Sequence, residues 1–118
     1  AISNYQGFLD RATIAPAAVT EILAIPEIWE KRTYSILDLS KFQFANGGQF
    51  DAEFIGREST LLLSENPLSI DRFALSVINQ RRIKKGFVER EEEKLPLFKY
   101  GMEIGLGDAR KARIFNVQ

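Results

Sequence analysis

Two short stretches hold the residue types that can do chemistry. Asp51 and Glu53 stand two residues apart, and Glu92 stands two residues before Lys94. On a strand, residues at that spacing share one face. Paired carboxylates serve in acid–base or metal chemistry when they are partly desolvated. The chemistry open to them is narrow, because the 118-residue chain contains no histidine and no cysteine. That excludes the commonest general base, thiolate nucleophiles, disulfides, serine–histidine triads and zinc sites built on Cys or His. What remains is carboxylate, lysine, tyrosine and hydroxyl chemistry, with Mg²⁺ or Ca²⁺ as the fitting metals.

Glu92-Glu93-Lys94 runs into the apolar Leu95-Pro96-Leu97-Phe98. An acid two residues before a lysine, beside a strand, resembles one fragment of the core of metal-dependent nucleases. The resemblance implies a Mg²⁺-dependent hydrolase with Asp51 or Glu53 as the partner acid, Glu92 on the metal and Lys94 activating water. Three-residue patterns recur widely by chance, and Pro96 interrupts the strand this one needs. The run Glu89, Glu91, Glu92, Glu93 lacks the glycine and the alternating Asp/Asn of a calcium loop. Gly105-x-Gly107 has Arg110 where a dinucleotide fingerprint places its third glycine, and no Gly-Lys-Ser/Thr is present, so a tight turn with Asp108 bonding the backbone fits better. The sequence therefore assigns no catalytic residue, no metal ligand and no cofactor.

Basic residues form two patches: Arg81, Arg82, Lys84 and Lys85, then Arg110, Lys111 and Arg113. A nucleic-acid grip needs its cations on one surface, so that several reach phosphates together. At about 100° per residue from Ile70, Arg81 falls near 20°, Lys85 near 60°, Arg82 near 120° and Lys84 near 320°, which spreads the first patch around a helix. Arg81 also continues the apolar stripe. Cations at that place suit the carbonyl end of a helix dipole, and the following glutamates offset them. A binding face requires that the fold bring the two patches together. Overall, 16 basic and 16 acidic residues cancel, whereas dedicated nucleic-acid binders usually carry a basic excess.

The elements that must position these residues follow from periodicity and punctuation. Ser3 can cap a first helix reaching Arg11, Pro16 opens a second with Val19, Ile22 and Leu23 on one side, and Pro26 opens a third. Residues 33–44 alternate imperfectly and read as one strand with a bulge or as two short strands. Phe42 and Phe44 before Asn46-Gly47-Gly48, with Phe50, Ala52 and Phe54 after it, predict a β-hairpin. A strand at Ser59–Leu63 follows. Asn66 or Ser69 then caps a long helix whose buried stripe is Ile70, Phe73, Ala74 and Val77, with Gly86 as its stop. Residues 95–107 and 112–117 read as a closing β pair.

The expectation is one α+β domain over 1–118: N-terminal helices, an antiparallel meander or hairpin, one long amphipathic helix and a C-terminal β pair. No stretch is apolar enough to span a membrane, and residues 1–11 lack the pattern of a signal peptide, so the cytoplasm or the interior of a larger assembly is expected. The functional expectation is a non-catalytic interaction or structural subunit working through self-association, as a homo-oligomer, or through a protein partner. Phe42, Phe44, Phe50 and Phe54 are its candidate interface, because four phenylalanines exceed what one face of a small sheet buries. The alternative is a nucleic-acid-binding domain using both basic patches.

Overall fold

The computed structural model describes residues 15–117, and of Ala15 and Pro16 only the backbone. The expected helix at Ser3–Arg11 lies outside the described residues. Helix α1 runs Ala15–Leu23 and α2 Pro26–Trp29; strands β1 (Ser35–Asp38), β2 (Phe42–Gln43), β3 (Ile55–Gly56) and β4 (Leu61–Ser64) follow; then come α3 (Pro67–Lys84) and α4 (Pro96–Glu103). The class is α+β, with a small antiparallel β region and four helices among the described residues.

The four strands are the arms of one long hairpin. Ser35, Ile36, Leu37 and Asp38 pair with Ser64, Leu63, Leu62 and Leu61, while Phe42 and Gln43 pair with Gly56 and Ile55. Three residues separate the two pairings on the outgoing arm and four on the return arm, so the return arm carries one extra residue. The Leu39 N–H donates to the Thr60 carbonyl and the Glu58 N–H to the Leu39 carbonyl across this irregular step. Asp38 accepts from the Ser40 N–H at 2.7 Å, which fixes the bend there. Of the two readings of residues 33–44, two short strands describes the outgoing arm, and the extra residue lies on the return arm.

Helix α3 packs on one face of the β1–β4 ribbon. Asn66 caps it, accepting from the Leu68 N–H, and its side-chain amide also donates to the Leu106 carbonyl at 2.8 Å. Leu68, Ile70 and Val77 are buried, with Phe73 and Ala74 partly so, as the apolar stripe predicts. At the far end Gly86 takes φ +81°, and the Phe87 and Gly86 N–H groups return to the Arg82 and Ile83 carbonyls, closing the helix.

The C-terminal third departs from the expected β pair. Pro96 occupies the first turn of α4, and the segment through Glu103 is helical. Its aromatic and apolar residues serve a helix as well as a strand, and Pro96, which bars a central strand, suits a helix start. A 3₁₀ turn at Ala109–Lys111 follows, and residues 112–117 join no sheet. Leu106 and Ala109 instead close over Leu68, with Leu23, Ala24, Trp29, Leu97 and Phe98 packed against that cluster.

Candidate interaction surface

Arg110 and the first basic patch lie at opposite ends of α3. Ala109, beside Arg110, packs on Leu68 in the first turn of α3, whereas Arg81 to Lys85 occupy the last turn. Twelve or more residues of helix separate these levels, roughly 18–20 Å at 1.5 Å per residue.

Within the first patch the arginines grip this chain's own backbone. Arg81 bonds the Arg57 carbonyl and forms an ion pair with Glu58. Arg82 donates through Nη1 to the Phe44 carbonyl and through Nε to the Val88 carbonyl, and its guanidinium lies 5.4 Å from the Phe87 ring. Lys84 and Lys85 are exposed and form no ion pair among the described residues. In the second patch Arg110 clasps Asp108 with two guanidinium nitrogens at 2.9 Å, while Lys111 and Arg113 are exposed. Those hydrogen bonds hold the Asp108 carboxyl at about 2, well below its ordinary value, and raise Arg110 in turn.

The acidic run is a strap along α3. Beyond Gly86 the chain reverses and is fastened at descending levels of the helix. Arg82 holds Val88, the Asn79 side chain both donates to and accepts from the Arg90 backbone, and Arg72 pairs with Glu92 at 2.7 Å. The sequence places these glutamates as counter-charges to the helix end. Glu92 in fact meets Arg72, near the helix start, and Glu91 pairs with Lys94.

The two halves of the hydrolase reading are likewise employed separately. Asp51 accepts from the Glu53 N–H and from Asn46, capping the 3₁₀ turn Ala52–Phe54. That turn replaces the expected strand at Phe50–Phe54 and takes Asp51 and Glu53 off a common strand face. Lys94 pairs with Glu91, and no three acidic side chains among the described residues are placed to hold a metal. Crowding by protein atoms raises the Asp71 carboxyl above its ordinary 3.8 although the residue reaches solvent, and among the described residues it forms no ion pair.

Of the hairpin phenylalanines, Phe44 is 6% exposed and meets Phe54 edge-on, and Phe54 meets Phe87 in the same way. Phe42 lies across Gly56, where an added Cβ would fall 2.5 Å from the ring Cζ. Phe50, 73% exposed, stands open at the tip with Lys41 near its ring. The tip itself is organised by Gln43, whose side-chain amide donates to the carbonyls of Ala45, Asn46 and Gln49 and whose oxygen accepts from the Asp51 N–H. The sequence reading passed over Gln43, since a single glutamine before a glycine turn has no distinguishing pattern.

The larger open apolar area is on the outer face of the β1–β4 ribbon. Tyr34, Ile36, Leu61 and Leu63 are 62, 71, 71 and 64% exposed. Ile36 and Leu63 are direct cross-strand partners, and Leu61 stands beside Asp38. Leu37 and Leu62, one step away on each strand, turn inward toward α3. Sequence alternation carried a hint, because Leu61-Leu62-Leu63 puts leucine on both faces of one strand.

No family model, curated protein or solved structure matches the chain. No helix among the described residues is long and apolar enough to cross a membrane.

Proposed function

We propose that this chain is a non-catalytic interaction or structural subunit that works through self-association or a protein partner. One observation carries the reading: among the described residues, sixteen large apolar side chains are exposed and eight apolar residues are buried. Scattered exposed leucines are ordinary, but contiguous ones mark surfaces that other proteins cover. Arg81, Arg82, Arg110, Asp51 and Lys94 are engaged in holding the hairpin, strap and turns, which favours a binding role over chemistry at those residues.

Solution scattering over a concentration series, with affinity capture on the full chain, tests the proposal. A mass that grows with concentration, or a partner retained in stoichiometric amount, supports it. A monomer throughout, with no retained partner, removes it.

A further inference from the structure

We infer that the outer face of the β1–β4 ribbon is the contact surface of a twofold homodimer, ribbon against ribbon. This rests on the interaction reading above and names both the surface and the occupant.

The ribbon has one face covered by α3 and the other open. Tyr34, Ile36, Leu61 and Leu63 make the greater part of that open face apolar, and Asp38 shares it opposite Leu61. Taking about 200 Å² for each residue when fully open, they expose on the order of 500 Å². Two such faces bury at most about 1,000 Å² together, at the threshold for a specific interface. A two-stranded ribbon is also marginal alone, and stacking a second one provides the sheet-on-sheet layer that antiparallel strands commonly form.

The arrangement of charge keeps like charges apart when a second copy stacks on this face. Acids flank the apolar centre at opposite corners. Asp38 ends β1, and the exposed Glu65 follows Ser64 at the far end of the other strand. When two identical faces meet about a twofold axis lying along or across the strands, each acidic corner falls over an apolar corner of the other copy. The acids do not meet each other, and Ile36 and Leu63 sit near the axis. Isologous contacts of this kind close after two copies. An interface at this lower limit of area belongs to the weak, transient class.

The test uses the whole chain in sedimentation equilibrium, over a dilution series reaching high-micromolar concentration. A monomer–dimer equilibrium is expected, and Ile36→Glu raises its dissociation constant roughly 100-fold or more, because it buries an unpaired charge at the centre of the face. Ile36 is largely solvent-exposed in the monomer, so far-UV circular dichroism and the urea midpoint of that variant remain close to the parent. A second readout is independent of affinity. The chain has no cysteine, so Ile36→Cys and Leu63→Cys are expected to give covalent dimers with a bis-maleimide whose reach matches the spacing of two stacked sheets, about 10 Å, while Lys84→Cys does not. A monomer at every concentration, a dimer indifferent to Ile36→Glu, or equal cross-linking at all three positions overturns the inference. A monomer that still retains a specific protein partner overturns the homodimer and leaves the interaction reading standing; a monomer with no partner removes both.

Discussion

Replacing Arg82 separates a structural clamp from a ligand-binding cation. Its guanidinium joins three parts of the chain: the hairpin through the Phe44 carbonyl at 3.1 Å, the strap through the Val88 carbonyl at 3.0 Å, and the Phe87 ring. A hydrogen bond from a charged donor is worth about 1.5–3 kcal/mol when desolvated, so the bond to nearly buried Phe44 is taken at ~1.5 kcal/mol. Val88 is 80% exposed, and its bond is taken at ~0.5 kcal/mol. The exposed cation–π contact adds ~0.5 kcal/mol. Arg82→Ala is therefore expected to lower unfolding stability by about 2.5 kcal/mol, or about 10 °C in Tm for a domain of this size. In Arg82→Lys the single ammonium reaches at most one of the two carbonyls, and the expected loss is ~1–1.5 kcal/mol. Lys84→Ala and Lys85→Ala, at exposed sites without ion pairs, should stay within ~0.5 kcal/mol of the parent. Urea unfolding read from midpoints at a common m value checks all four. If Arg82→Ala falls inside the range of the lysine variants, or if a lysine variant costs as much as Arg82→Ala, the clamp reasoning is wrong.

Asn66 should behave as two bonds in one residue: Asn66→Ser keeps the helix cap and loses the link to Leu106 for ~1 kcal/mol, while Asn66→Ala loses both for ~2 kcal/mol. Equal urea midpoints for the two variants would show that the Leu106 bond contributes nothing. Gly56→Ala forces a Cβ against the Phe42 ring and is expected to cost ~1–3 kcal/mol by overpacking. In a Phe42→Leu background, where the ring is gone, the same change should cost measurably less in thermal melts. The depressed Asp108 carboxyl stabilises the fold above its unfolded value of 3.8, and that contribution is lost as pH falls toward about 2. The urea midpoint of the parent should therefore drop more steeply from pH 4 to pH 2 than that of Asp108→Asn; parallel curves would contradict the Arg110 clasp.

Local signals determined a good part of this chain by themselves. The cap at Asn66, the apolar stripe from Ile70 to Val77 and the stop at Gly86 are short-range chemistry, and the long helix follows from them. The hairpin turn likewise rests on residues that tolerate positive φ, and Asn46 adopts +58°. The absence of histidine and cysteine narrowed the possible chemistry before any geometry was known. At residues 95–107 the local pattern was ambiguous, since short apolar runs fit either element, and packing of Leu106 over Leu68 settled a helical solution. Only tertiary structure decided the use of the charges. Arg81 and Arg82 are held by carbonyls and an acid 23 to 38 residues away, and Arg72 by Glu92, 20 residues on. A charge run records how many cations a segment carries; which of them meet solvent depends on backbone acceptors that the chain delivers from a distance. The open ribbon face was decided in the same way, because alternation places Leu61 and Leu63 on one side of a strand while the packing of α3 determines which side is left uncovered.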